Sequence, residues 1–300
     1  MSLMNLQIRR LSTYEDIQTI MPLQRATWGA EEAGGLVPAQ MLIHLVRYGG
    51  HVLAAYSQQQ LVGFIIGYIG LQDGQIVMAS KRMVVKPEFR NLGIAMQLKL
   101  AQRKLAIEQN VELITWTFSP TMSVNAHFNL NKLGGVAKRY DVNVYGTDTP
   151  LSTLGNSDRL LVEYWVNAER VRERADPSVS PPRRPDQPVD AALVLNPSQA
   201  VDLAWRIPGP IAEIAAADEQ REGLPKIVFI ELPTNFAAIL AQDPTSAASW
   251  QLQLRQLLLQ WLNQNDYLIT GLLQTMETES HTRRAYYILE KCADLRLSQG

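Results

Sequence analysis

One short stretch of the chain gathers residues whose types and spacing could do chemistry: VVKPEFRNLGIA, residues 84–95. It begins as a strand and ends as a helix. Between the two stand Arg90, Gly93 and Ala95, in the pattern Arg-x-x-Gly-x-Ala. A helix start has amide hydrogens without intrahelical partners and carries partial positive charge. It is therefore an anion site built from backbone alone. Gly93 lacks a Cβ and Ala95 is small, so a phosphate can come close. Arg90 adds a permanent cation, and Pro87 stiffens the turn. These residues predict a loop for the two phosphates of a pyrophosphate, with the amides of Asn91, Leu92, Gly93, Ile94 and Ala95 as donors. An ordinary strand–helix corner can show the same six-residue pattern, so the surrounding elements decide.

Two other phosphate loops are excluded. No Gly-x-Gly-x-x-Gly follows a strand, and no Gly-x-x-x-x-Gly-Lys-Ser/Thr occurs. Upstream, LQIRRL alternates as a half-buried strand. A helix follows, capped by Ser12 or Thr13 and kinked or broken at Pro22. Pro38 opens a second helix. HVLAAYS, QLVGFIIGYIGL and QIVMASKRMVV read as three strands, the last two joined at Asp73-Gly74. Downstream, Ile94, Leu98, Ala101 and Leu105 form an apolar helical stripe, with Lys99, Arg103 and Lys104 off it. VELITWTF is a central strand. TMSVNAHFNLNKLGG is a helix ended by glycine, and AKRYDVNVYG and RLLVEYWV are closing strands.

The 300-residue chain has room for two domains. With 46% apolar and 19% charged residues it has globular composition, and a net charge of −1 gives no nucleic-acid signature. Cys292 is the single cysteine, which excludes an internal disulfide and a multi-cysteine metal site and fits a cytoplasmic setting. No apolar run is long enough to span a membrane, and the start lacks a signal-peptide layout. No metal site is expected.

At this point the residues resemble a known family. Val85, Pro87, Arg90, Gly93 and Ala95, as V-x-P-x-x-R-x-x-G-x-A, are similar to the acetyl-CoA-binding motif of the GNAT N-acetyltransferase superfamily. The element order across residues 6–166 is similar as well. LITWTFSPTMSVNAHFNLNKLGGVAKRYDVNVYG resembles a subgroup of predicted acetyltransferases with a C-terminal extension. The resemblance implies an α/β mixed-sheet acyl-CoA N-acyltransferase fold with acetyl-CoA as cosubstrate. It implies that backbone around Met83, Val84 and Val85 pairs with the pantetheine arm, while residues 90–95 hold the pyrophosphate. The strands around Val85 and Trp116 would splay to admit the thioester. An amine of a small molecule or peptide would attack, and a nearby acid would protonate the leaving thiolate. The alternative is a CoA-binding or sensing protein without catalysis. Edge strands of such folds often pair, so a homodimer is open.

The catalytic acid is not identified. The family's tyrosine position holds Leu130, and the glutamate position of one branch holds Ala79. Asn125 is a candidate for orienting substrate or capping its helix. His127, Asn129, Ser123 and Tyr140 are weaker substitutes, with packing as the simpler role for the histidine and tyrosine. Lys81 or Arg82 could face the cleft, and Glu31 and Glu32 could attract an amine.

The first domain is expected over 4–166, followed by a linker rich in proline and arginine over 167–191 and a smaller αβ domain over 192–300. KIVFIELP, SAASWQLQLRQLLLQWLNQN, YLITGLLQTM and RAYYILEK repeat the strand–helix–strand–strand order of residues 111–166. That order has two readings, a half-GNAT duplication or the chance recurrence of an order common to α/β chains.

Overall fold

The computed structural model describes residues 6–29, 36–148, 152–176, 178, 189, 193–202, 205–211, 224–276 and 283–292. Glu31, Glu32 and most of the expected linker lie outside them. The chain forms two compact units, one of Met1–Trp116 with Trp165–Asn167, the other of Thr117–Tyr164 with Ala168–Gly300. The expected boundary at Val166 falls inside the short return segment of the first unit.

The first unit holds β1 (Leu6–Leu11), α1 (Tyr14–Gln18), α2 (Met21–Trp28), α3 (Ala39–Arg47), β2 (His51–Ser57), β3 (Gln60–Gln72), β4 (Gln75–Val85), α4 (Ile94–Glu108) and the start of β5 (Leu113–Phe118). The expected first helix is two, because Pro22 sits in the opening turn of α2 and cannot continue α1. Thr13 is the cap of α1, its Oγ1 accepting from the Asp16 amide at 3.1 Å. β1–β2–β3–β4 pair antiparallel in that order, and β5 joins β4 in parallel. The sheet is therefore mixed. Asp73 and Gly74, at φ 50° and 81°, make the tight β3–β4 hairpin.

Alternation sorts the side chains of β4. Val84 packs with Ile17, Ile20, Leu42 and Phe64 on the face covered by α1–α3. Met83 and Val85 pack with Ile94 and Leu98 on the face covered by α4. A bulge interrupts this alternation: Ile66 pairs with Arg82, the next residue Gly67 pairs with Ser80, and Lys81 is the extra residue.

The second unit holds α5 (Ser123–Ala126), β6 (Val136–Asp141), β7 (Arg159–Trp165), α6 (Glu169–Ala175), β8 (Gln199–Asp202), β9 (Trp205–Ile207), β10 (Ile227–Leu232), α7 (Phe236–Gln242), α8 (Pro244–Leu258), β11 (Tyr267–Met276) and β12 (Arg283–Lys291). Its main sheet runs β7–β6–β11–β12–β10. β6 meets β11 at Ala137↔Ile269. Both α5 and α8 continue into a wider π turn, His127–Lys132 and Leu259–Gln264, before the next strand. The helix–strand–strand order thus occurs twice. Three local readings change. The strand expected through Gly146 ends at Asp141. The linker opens as α6, with Val171 buried. Residues 192–226 contribute β8 and β9, which have no clear period in sequence.

Candidate functional site

The loop after β4 is shaped by two residues in left-handed backbone, Asn91 at φ 62° and Gly93 at φ 80°. Asparagine and glycine are the residues that tolerate this region. Pro87–Phe89 forms a short 3₁₀ turn leading into it. Gly93 is the N-cap of α4, no side chain among the described residues caps that end, and no acidic residue occupies its first turn. The helix start thus presents its amides and positive pole without competition. A Cβ built on Gly93 meets nothing within 4 Å, so the space in front of these amides is open. Asn91 and Gly93 are exposed, Leu92 and Ala95 are half-buried, and Ile94 is anchored in the core. Arg90 is exposed, and its Nε donates to the Val85 carbonyl at 3.3 Å, which fixes the cation at the end of β4. These features fit a diphosphate.

Met83, Val84 and Val85 lead into the loop, paired on one side with Ile65, Phe64 and Gly63 of β3. On the other side the parallel pairing with β5 consists of Met78↔Ile114 and Ala79↔Thr115. Among the described residues β4 is paired through β3 alone from Ser80 onward. The two strands therefore part just after Ala79 and Thr115, leaving one edge of residues 80–85 available to a ligand's hydrogen bonds. Ser80 and Trp116 are the first residues beyond the point of parting. Lys99 of α4 reaches that point, its Nζ donating to Ser80 Oγ at 3.0 Å and lying 3.5 Å from the Trp116 ring centroid.

Other candidates have defined places. Arg82 stacks on Trp28 of α2 at 4.7 Å, on the face opposite α4. Lys81 is the exposed bulge residue. Asn125 is exposed on α5, whose N-cap is Met122, so it does not cap that helix. Ser123 is buried and its hydroxyl donates to the Thr234 carbonyl at 2.9 Å. His127 Nδ1 pairs with the Asn131 amide at 3.1 Å, and burial and Lys132 lower its pKa. Asn129 and Leu130 are buried.

Tyr140 is buried, and its hydroxyl is bound to Asp158. Burial, reinforced by that carboxylate, raises its pKa far from neutrality, so it is a poor proton donor. These groups border a cavity of about 230 Å³ in the second unit, where Phe236 and Pro120 are also exposed to the space. Cys292 is half-buried, and burial together with Asp266 raises its thiol pKa, which makes it a weak nucleophile. Among the described residues no cluster of His, Cys, Asp and Glu is placed to hold a metal. No described helix is long and apolar enough to cross a membrane.

Sequence reasoning missed Ser80, Lys99, Gln102 and His51, which form one hydrogen-bonded chain in the first unit. Lys99 was expected off the apolar stripe of α4, yet it is 4% exposed, beside the fully buried Gln102. The available signal was Gln102, a polar residue set inside the buried arc of that helix.

Residues 17–134 match the model of the acetyltransferase (GNAT) family. No curated protein matches the chain. Among solved structures, the ribosomal-protein-S18-alanine N-acetyltransferase of Escherichia coli is 12% identical, covers 55% of this chain and 96% of its own, and has a TM-score of 0.44. Arabidopsis thaliana Naa50, in complex with the bisubstrate analogue CoA-Ac-MVNAL, is 14% identical over 53% of this chain and 98% of its own, with a TM-score of 0.43. An aminoglycoside acetyltransferase from an uncultured soil metagenomic sample is 18% identical over 38% and 78%, with a TM-score of 0.34. The stretch 17–134, which contains the Gly93 loop, the parting of β4 from β5 and helix α4, is a GNAT acetyltransferase domain.

Proposed function

We propose that this chain is an N-acetyltransferase that moves an acetyl group from acetyl-CoA to an amine of a small molecule or peptide. The observation that carries this reading is the uncapped start of α4 behind the left-handed, exposed Gly93. The amides of Asn91, Leu92, Gly93, Ile94 and Ala95 and the guanidinium of Arg90 would hold the pyrophosphate. The free edge of Met83, Val84 and Val85 would pair with the amides of the pantetheine arm. From Val85 back to Ser80, β4 runs roughly 17 Å at strand rise, of the order of an extended pantetheine arm. The reactive thioester would then lie where β4 and β5 part.

A second reading, CoA binding without transfer, is favoured by Leu130 and Ala79 at the places where the family carries its acids. Calorimetry with coenzyme A tests the shared element, and release of free thiol from acetyl-CoA with a panel of amines separates the two readings. Binding with turnover supports the transferase. Binding without turnover supports the sensor. Absence of binding overturns both.

A further inference from the structure

Lys99 is a buried amine with no carboxylate partner among the described residues. Its Nζ contacts Ser80 Oγ at 3.0 Å, Gln102 Oε1 at 3.3 Å and the face of Trp116. All three partners are neutral. Burying an amine among neutral groups is unfavourable while it is charged, and an apolar residue would pack in the same place without that burden. The helix keeps it, directed at the one point where β4 and β5 separate.

The network behind Lys99 fixes its orientation. Gln102 Oε1 accepts from Lys99, so Gln102 Nε2 donates to His51 Nε2 at 2.8 Å. His51 is fully buried. Burial first, then Arg10 and Lys99, lower its pKa to about 4, so it is neutral. Gly67 leaves the room for this arrangement, since a Cβ there would overlap the His51 ring. Around Lys99, β2 presents neutral His51 with Arg10 of β1 near it, β4 presents Ser80, β5 presents Trp116 and α4 presents Gln102. Lys81 is turned out to solvent and Arg82 is stacked on Trp28.

Ser80 is half-buried and borders the parting of the strands. Simple alternation from Met83 would put it on the face opposite α4, and the bulge at Lys81 turns it to Lys99. Its oxygen accepts from Lys99, which leaves the hydroxyl proton to donate to a group lying between the strands.

We propose that Ser80 and Lys99 form the proton-delivery pair of the acyl transfer, Ser80 Oγ donating to the departing sulfur and Lys99 Nζ replacing that proton. This rests on the acetyltransferase reading above. In the step, the amine nitrogen forms a bond to the carbonyl carbon and the C–S bond breaks. The sulfur leaves with the electron pair and takes the Ser80 proton, and Ser80 takes one from Lys99. The acceptor nitrogen releases one proton to solvent, and Lys99 regains one from solvent. Burial among neutral groups lowers the Lys99 pKa below that of a free amine, so its ammonium gives up a proton more readily than an exposed lysine would.

The test uses coenzyme A itself as probe, with the full chain and the variants Lys99→Met and Ser80→Ala. The thiol of bound coenzyme A is titrated by the ultraviolet absorbance of its thiolate, and thiol release from acetyl-CoA is followed across pH. The expected result is unchanged coenzyme A affinity and an unfolding midpoint for Lys99→Met no lower than that of the parent. With it go a rise of about one unit or more in the bound thiol pKa and a fall in turnover of roughly 100-fold. The parent's loss of rate at high pH, where Lys99 is deprotonated, disappears in Lys99→Met. If coenzyme A binds and both variants keep the parent's thiol titration and pH profile, the pair has no such role. If the parent does not bind coenzyme A, the acetyltransferase reading fails first, and the pair with it.

Discussion

Ala137 of β6 faces Ile269 of β11, and the two residues hold matching places in a repeated half-unit. Around them residues 132 positions apart make equivalent contacts. The Asn131 side chain binds both the carbonyl and the amide of Leu272, at 2.7 and 2.9 Å. The Asn263 side chain binds the carbonyl and amide of Tyr140, at 2.9 and 3.1 Å. The π turns close by equivalent bonds, Leu133 N to Phe128 O and Asn265 N to Gln260 O. Gly134 and Asp266 follow them in left-handed backbone. Lys138 and Thr270 are the bulge residues of the two strands, and each reaches a glutamate of the next strand, Glu163 and Glu290.

This symmetry predicts equal sensitivity at the two asparagines. Asn131→Ala and Asn263→Ala each strand a backbone N–H and C=O of the opposite strand, at a cost of about 2 kcal/mol. Urea denaturation of the single variants should give similar losses. A large effect at one site and none at the other would show that the two halves do not share this bracket energetically.

Gly93 carries the ligand prediction. Gly93→Val forces a β-branched residue into left-handed backbone and fills the space before the α4 amides. Coenzyme A affinity by calorimetry should fall at least tenfold, by about 1.4 kcal/mol or more. Gly93→Asn, which tolerates the backbone, should lose less.

His51 makes stability depend on pH. Its folded pKa, about 4, lies below the ordinary 6.5, so between those values the unfolded chain binds the additional proton. The folded form accordingly loses stability as pH falls from 6.5 toward 4, by about 3 kcal/mol in full. Denaturation midpoints measured across that window should show the slope, and His51→Gln should flatten it.

Asp158 gives a second acid-sensitive point. Burial alone would raise its pKa, but Arg255, Tyr140 and the Asn143 amide outweigh burial and hold it below the usual carboxylate range. Its contribution is therefore present above the unfolded carboxylate pKa and is lost as pH falls through the folded value. Arg255→Met leaves a buried carboxylate without its cation and should destabilise the second unit by about 3 kcal/mol at neutral pH. Chemical denaturation of that variant checks the figure, and its acid loss should begin at a higher pH than in the parent.

The strands and helices of the first unit were legible because local signals agree with tertiary needs. Pro22, Pro38, Asp73-Gly74 and the glycine at 93 each mark a backbone event that the fold uses. The phosphate loop was legible for the same reason, since its donors are main-chain groups placed by turn residues. The Ser80–Lys99 pair was not. It depends on a one-residue bulge at Lys81 and on the buried arc of α4 being wider than its Ile94–Leu98–Ala101–Leu105 stripe. Neither is fixed by local periodicity. The π turns were likewise hidden, because HFNLNK and LQWLNQ have ordinary helical composition and the extra residue is stabilised by the Asn131 and Asn263 brackets across the strands. The short β8 and β9 depend on pairing with each other more than on their own sequence.

The edge of β6 is met by β11, a segment of the same polypeptide. Dilution cannot remove a tethered neighbour, because its local concentration is set by the chain and not by the solution. Protection of that strand edge against adventitious pairing is therefore independent of expression level, and the unfolding free energy associated with it carries no dependence on stoichiometry.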